Sequence, residues 1–288
     1  MPTATSAPSQ EHISHLVRLA LFEDLPSGDL TTSTLFPSPI RATGTILAKQ
    51  TLTVAGVPLA EEAFRQVDAG LTFVRNCADG QTAQPGDAIL TVTGDGRSIL
   101  SGERVALNFL QHLSGIATLT ARFCEAVKAY HVIILDTRKT TPGLRTLQKW
   151  AVRVGGGSNH RLSLSDGILI KDNHLLLASH LGQSLTECCR LAKNRGGFQT
   201  HVIVEADSLE QIPPALEGRA DIILLDNMPP AMVRRAIDLI GGRAQTEVSG
   251  GITLANVADY AALGPTYISI GALTHSAPAV DIGLDLTV

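Results

Sequence analysis

The rhythm of apolar and polar positions changes near residue 100. Before it, short apolar stretches are cut by turns at Gly80, Gly86, Gly94 and Gly96. Thr45-Ile46-Leu47-Ala48 and Ala88-Ile89-Leu90-Thr91-Val92 read as strands, with an amphipathic helix over Leu59 to Val67 between them and another over Ile13 to Phe22 ahead. This mixture predicts a small antiparallel α+β layer. From Ser98 to Val127, the residues Val105, Phe109, Leu110, Leu113 and Ile116 recur at helical spacing. They predict one long helix, in which Gly115 either kinks the axis or admits a close neighbour.

Beyond the helix, apolar runs alternate with helical segments. The runs are Val132 to Leu135, Ile168 to Ile170, Val202 to Val204, Ile222 to Leu225, Thr246 to Val248 and Tyr267 to Ile270. Between the later ones lie helical patterns over Leu185 to Ala192, Leu209 to Leu216, Ala231 to Ile240 and Leu254 to Leu263. Short, fully apolar strands separated by helices predict a parallel sheet covered on both faces. About six such units, the later ones roughly 20 residues apart, point to a βα barrel. A doubly wound sheet is the rival, but no Gly-x-Gly-x-x-Gly pattern follows a strand.

Reactive residues follow each run. Asp136, Arg138 and Lys139 follow Leu135; Lys171, Asp172 and His174 follow Ile170; Glu205 and Asp207 follow Val204; Asp226 and Asn227 follow Leu225. Glu247 and Ser249-Gly250-Gly251 flank Val248, and Gly271, Thr274 and His275 come after Ile270. In a parallel barrel these positions converge on one catalytic rim. A lone charge after a strand is commonly a helix cap or a solvated loop; repetition strand after strand marks a site.

The overall charge sharpens this picture. The chain has 288 residues and a formal net charge of -4, yet Arg138, Lys139, Arg145, Lys149, Arg153, His160, Arg161 and Lys171 crowd into one stretch. A gathered cationic site in an acidic protein suits a small polyanion, whereas nucleic acid calls for a broad basic surface. Aromatic content of 4% also argues against base stacking. Arginine grips carboxylates through paired bonds, each worth about 1.5–3 kcal/mol. Glu205 and Asp226 offer hard oxygens that suit Mg²⁺, or else salt bridges to the neighbouring cations. Glycine at Ser249-Gly250-Gly251 and Gly271-Ala272 lets backbone N–H groups approach a phosphate, although a glycine pair alone is often only a turn. Gly155 to His160 reads as a flexible connection that shapes the site.

No apolar run approaches the roughly 20 residues of a membrane helix, and Met1 to Gln10 lack the pattern of a secretory signal. They read as a frayed tail. Cys77, Cys124, Cys188 and Cys189 match no zinc spacing, and a reducing cytoplasm is their simplest home.

At these residues the chain resembles the quinolinate phosphoribosyltransferases, also called nicotinate-nucleotide pyrophosphorylases (carboxylating). The resemblance is carried by GDLTT (Gly28 to Thr32), ERVALNFLQHLSGIAT (Glu103 to Thr118), DTRKTTPGLR (Asp136 to Arg145), GGGSNHRLSLSDGILIKDNH (Gly155 to His174), EADSLEQ (Glu205 to Gln211), LLDN (Leu224 to Asn227), SGGI (Ser249 to Ile252) and IGALTHSAPAVDIGLD (Ile270 to Asp285). It spans nearly all the chain after the tail. It implies an α/β fold: an N-terminal α/β sandwich-like domain over residues 1–115, with the tail at 1–10 and residues 276–288 packing back onto it, and a C-terminal TIM-like, incomplete βα barrel over 116–275. It implies conversion of quinolinate and phosphoribosyl pyrophosphate to nicotinate mononucleotide, carbon dioxide and pyrophosphate, with Mg²⁺, in NAD biosynthesis. Carried over by motif, Arg104, Arg138, His160, Arg161 and Lys171 would hold quinolinate. Lys139, Lys171, Glu205, Asp226, Ser249, Gly250, Gly251 and Gly271 would face the phosphoribosyl donor and its metal. The resemblance also implies a homodimer in which Arg104 reaches the partner's site.

The residues agree with that chemistry. Two adjacent carboxylates repel each other and need several cations to be desolvated together. Cations would also stabilise the departing pyrophosphate. The ring nitrogen, once alkylated, can stabilise the carbanion left by decarboxylation. The acid that reprotonates it stays open among Lys139, Lys171 and water. Other readings are a related phosphoribosyltransferase for another aromatic acid, a Schiff-base barrel aldolase using Lys171, and a catalytically silent binder of phosphorylated acids.

Overall fold

A computed structural model describes residues 7–197 and 200–288. Residues 1–6 of the expected tail lie outside the described residues. In chain order come α1 (Gln10–Asp24), α2 (Leu30–Leu35), β1 (Arg41–Ala48), β2 (Leu52–Thr53), α3 (Val57–Val67), β3 (Thr72–Arg75), β4 (Thr82–Ala83), β5 (Ala88–Asp95) and α4 (Gly96–Ala126). There follow β6 (Ile133–Leu135), α5 (Arg145–Val154), β7 (Ile168–Ile170), α6 (Asp172–His180), α7 (Leu185–Arg195), β8 (Val202–Ala206), α8 (Ile212–Glu217) and β9 (Ile222–Asp226). The last elements are α9 (Pro230–Ile240), β10 (Gln245–Ser249), α10 (Val257–Ala261), β11 (Tyr267–Ser269), α11 (Ala272–His275) and β12 (Ile282–Thr287). The chain divides into two compact units. One takes the described residues up to Ala121 with Thr141–Gly156 and Leu273–Val288; the other takes Arg122–Thr140 and Gly157–Ala272.

The first unit is built on an antiparallel sheet of order β12-β1-β5-β3. In β1 every second residue (Ala42, Gly44, Ile46, Ala48) is buried, the two-residue period of a half-covered strand. α1 starts at Gln10, earlier than the apolar pattern indicated, because the Ser9 side chain accepts the His12 N–H at 3.2 Å. α3 carries two buried acids. Glu61 is gripped by Arg75 at 2.6 and 2.7 Å, and Glu62 accepts from Gln10 at 2.9 Å and Gln66 at 2.7 Å. α4 runs unbroken for 31 residues, so Gly115 does not end it. A Cβ there would lie 2.2 Å from the Pro278 carbonyl oxygen; glycine admits the returning C-terminal segment. Gly155 behaves similarly: a Cβ would lie 2.3 Å from Ala117 O, so the glycine run starts as a packed C-cap of α5.

The second unit holds six parallel strands in the order β6-β11-β10-β9-β8-β7. The first strand in sequence lies beside the last, the neighbour relation of a sheet wrapping toward closure rather than of a doubly wound sheet. A one-residue bridge from Ser158 to Leu135 extends the outer edge of β6. No pairing joins that edge to β7 among the described residues, so the barrel is not closed. Leu135, Ile203, Ile222, Leu224 and Tyr267 form a buried cluster with Leu169. Val202, Val204, Ile223, Leu225, Val248 and Ile268, at the alternate positions, are also buried. Burial on both faces is why these runs read as continuously apolar. Each such side chain contributes roughly 1.5–3 kcal/mol.

Candidate active site

One cavity of about 320 Å³ in the second unit gathers the reactive residues. Its wall follows the two-residue strand period: Leu169 and Lys171, Leu224 and Asp226, Glu247 and Ser249, with Glu205 and Ser269 from the strands between. Register stacks them. Leu224 pairs with both Glu205 and Glu247, and Ser249 pairs with Asp226 and Ser269. Thr137, Arg138 and Lys139 enter from the loop after β6, and His160 and Arg161 from the segment after the Ser158 bridge.

Backbone and side-chain bonds set these groups in place. The Lys139 N–H donates to Thr137 Oγ1 at 3.1 Å and the Thr140 N–H to Arg138 O at 3.0 Å, tightening the cationic loop. Asp136 is fully buried; it accepts the His160 N–H at 2.9 Å and Asn159 Nδ2 at 2.6 Å. It thereby ties the end of β6 to the segment bearing His160. Arg161 donates from its guanidinium to Gly167 O at 3.1 Å, just ahead of β7. Burial lowers the Arg161 guanidinium below its usual pKa, and the like charge of Arg138 adds to this. Two cations held together and partly dried are a site prepared for anions. Lys171 caps α6; its N–H donates to His174 Nδ1 at 3.0 Å and its Nζ to Glu205 at 2.5 Å.

Asp226 ends β9 and accepts Asn227 Nδ2 at 2.7 Å. Asn227 has a left-handed backbone (φ 54), and its N–H donates to Ser249 O at 2.9 Å. Gly250 (φ 91) lies against it: a Cβ at Gly250 would sit 2.2 Å from Asn227 Oδ1 and 2.8 Å from its backbone nitrogen. Glycine is thus required for space as well as for backbone conformation.

Of the eight basic residues crowded in the sequence, five line the cavity: Arg138, Lys139, His160, Arg161 and Lys171. Lys149 is fully buried, and it lies with Arg145 and Arg153 on α5 in the first unit. Arg104 is exposed on α4, also in the first unit, and does not line the cavity. Gly250, Gly251 and Gly271 lie just past β10 and β11 and are not wall residues. Thr137, Leu169, Leu224 and Ser269 are wall residues that charge and motif did not single out as site groups, and Glu247, named at the rim, was given no role. The strand period would have found them once one inward residue per strand was known.

Glu205, ion-paired to Lys171, and Asp226 both put carboxylate oxygens on the cavity wall. Among the described residues no group of three or more His, Cys, Asp or Glu could hold an ion. The donor set of Glu205 and Asp226 is two carboxylates on neighbouring strands. It fits Mg²⁺ of the kind bound by one or two carboxylates and completed by substrate phosphates.

Four cations, one imidazole and three carboxylates on the wall of one βα cavity define an enzyme for small polyanionic substrates. The chain belongs to the quinolinate phosphoribosyl transferase family: the family's N-terminal domain matches residues 29–114 and its C-terminal domain residues 116–285. It is 43% identical to the nicotinate-nucleotide pyrophosphorylase (carboxylating) of Mycobacterium leprae, over 94% of this chain and 95% of that one. It is 40% identical to the probable nicotinate-nucleotide pyrophosphorylase (carboxylating) of Bacillus subtilis, over 96% and 93%. The structure of the nicotinate-nucleotide pyrophosphorylase from Francisella tularensis superposes with a TM-score of 0.91 at 33% identity, covering 97% of this chain and 98% of that one.

Proposed function

We infer that this chain transfers the phosphoribosyl group of phosphoribosyl pyrophosphate to the ring nitrogen of quinolinate, releasing carbon dioxide and pyrophosphate and forming nicotinate mononucleotide for NAD biosynthesis. The observation that carries the reading is the meeting of Arg138, Lys139, His160, Arg161 and Lys171 around one cavity above Glu205, Asp226 and Glu247. The dried Arg161–Arg138 pair answers the two carboxylates of quinolinate, and desolvating that dianion without cations would be prohibitive. Lys139 and Lys171 would neutralise the departing pyrophosphate, and Glu205 and Asp226, on the same wall, would face the phosphoribosyl donor and its metal. Ser249, Gly250, Gly251 and Gly271 offer backbone N–H groups to the 5′-phosphate. Mg²⁺, when bound, would neutralise pyrophosphate charge, with Glu205 and Asp226 as its protein ligands. The chain's own part is to orient the ring nitrogen toward the sugar carbon and to exclude water from the departing carboxylate.

The working form is a homodimer in which the exposed Arg104 serves the partner's cavity. All four cysteines are free, which supports a cytoplasmic location, and among the described residues no helix is long and apolar enough to cross a membrane. The test is carbon dioxide release from quinolinate labelled at the 2-carboxylate. Release is expected only with phosphoribosyl pyrophosphate and Mg²⁺ both present. Release without the donor, or none with it, refutes the reading.

A further inference from the structure

Glu247 lines the cavity and has no role in the scheme above. β10 points it inward two residues before Ser249, and its register neighbours are Leu224 and Tyr267. It is 1% exposed, and neither carboxylate oxygen accepts a hydrogen bond among the described residues. A buried carboxylate without a donor is strongly unfavourable, and native proteins keep few such groups without a use. The imidazole of His160 faces it, with Nε2 3.5 Å from Glu247 Oε1.

Hydrogen bonding identifies the tautomer of that ring. His160 Nδ1 accepts the Arg161 backbone N–H at 2.9 Å, so Nδ1 carries no proton and the ring proton sits on Nε2. The Nε2–H bond is therefore on the side of Glu247. The His160 backbone N–H is held separately by Asp136. The backbone N–H and Nδ1 of His160 are each hydrogen-bonded, and the Glu247 carboxylate stands 3.5 Å from Nε2.

We propose that Glu247 is a positioning residue for the acid substrate. It acts through His160, fixing the plane and tautomer of the ring so that the His160–Arg161 wall meets the carboxylates of quinolinate. The proposal rests on the quinolinate reading of this cavity. It accounts for a carboxylate kept among apolar register neighbours, where leucine would pack more favourably.

The test is a double-mutant cycle on the full-length chain, with Glu247→Leu and His160→Ala made singly and together. Glu247→Leu replaces a buried charge by an apolar side chain of similar size, so its Tm should equal or exceed that of the wild type. Its KM for quinolinate should nevertheless rise about ten- to a hundredfold, the value of one charge-assisted hydrogen bond lost between the mispositioned wall and a substrate carboxylate, with the donor KM unchanged. Glu247→Gln, which keeps an acceptor oxygen for Nε2–H, should restore most of the quinolinate affinity. In a His160→Ala background, Glu247→Leu should have no further effect. Glu247→Asp, which keeps the charge but withdraws it by one methylene, carries the same expectation of a raised quinolinate KM should the leucine variant fail to fold. An unaltered quinolinate KM in the folded variants, or effects of the two positions that multiply, overturns the proposal while leaving the quinolinate reading intact. A wild-type chain that releases no carbon dioxide from quinolinate overturns both.

Discussion

Replacing Gly250 by alanine separates two costs that usually arrive together. At φ +91 an alanine is strained, and its Cβ would fall 2.2 Å from Asn227 Oδ1, 2.6 Å from Cγ and 2.8 Å from the backbone nitrogen. The side-chain oxygen could swing away, but the backbone nitrogen cannot. Gly251 provides the control, for at φ +62 it has open space where a Cβ would go. Left-handed strain alone costs about 1–2 kcal/mol, and overpacking adds about 1–3 kcal/mol. Gly251→Ala should therefore lose about 1–2 kcal/mol and Gly250→Ala about 2–5 kcal/mol. At about 2–4 °C per kcal/mol for a chain near this size, the second variant should melt several degrees below the first. Displacing Asn227 also releases the 2.7 Å bond that holds Asp226, so Gly250→Ala should raise the KM for the phosphoribosyl donor more than that for quinolinate. Thermal unfolding and steady-state kinetics on the two variants decide the matter. Equal losses of Tm refute the packing argument, and a normal donor KM in Gly250→Ala refutes the link to Asp226.

Other outcomes follow from the same geometry. Inactive Arg104→Ala and Lys171→Ala chains, unfolded and refolded together, should regain part of the activity if subunits share sites; a dead mixture, with wild type surviving the same treatment, refutes sharing. Asp136→Asn leaves an amide facing the donors of Asn159 and His160; it should lose about 1–3 kcal/mol of stability in urea titrations and raise the quinolinate KM. The Cys189 thiol is pushed up from 9.0 to about 11, first by burial and then by Cys188. Because the folded chain holds this proton more tightly than the unfolded one, the associated stability is complete below about pH 9 and is lost as pH rises through about 11. The loss is on the order of 2–3 kcal/mol. Cys189→Ala should flatten that alkaline limb of the urea midpoint, and an unchanged limb refutes the assignment.

The strands of the second unit were legible because both their faces are buried, so that Ile222 to Leu225 or Val202 to Val204 carry no polar interruption. The cations that follow them were legible for the same reason: they begin where the apolar run stops. α5 was not. Its buried positions include Gln148 and Lys149 beside Leu147 and Trp150, so the amphipathic pattern is broken by polar residues that nevertheless face inward. Lys149 and Arg153 therefore counted toward a cationic cluster they do not join. α2 escaped because six residues capped by Asp29 leave no periodicity to read. The inner wall formed by Leu169, Leu224, Glu247 and Ser269 follows from alternation, but alternation alone does not say which set faces the cavity. That choice is made by register across four strands.

The central strand of the antiparallel sheet has consequences for how the protein is made. β1 takes β5 as one neighbour within some fifty residues, Thr43 meeting Thr93. Its other neighbour is β12, with Thr43 facing Thr287, 244 positions away. On the ribosome, one edge of β1 therefore stays unsatisfied until the whole of the second unit has been translated. During that interval the nascent chain presents an open strand edge, a template for pairing between neighbouring chains on a polysome. Closure of so long a loop is also a slow step. The yield of this protein in a cell should thus depend on elongation rate and on chaperones that cover strand edges, independently of how stable the finished molecule is.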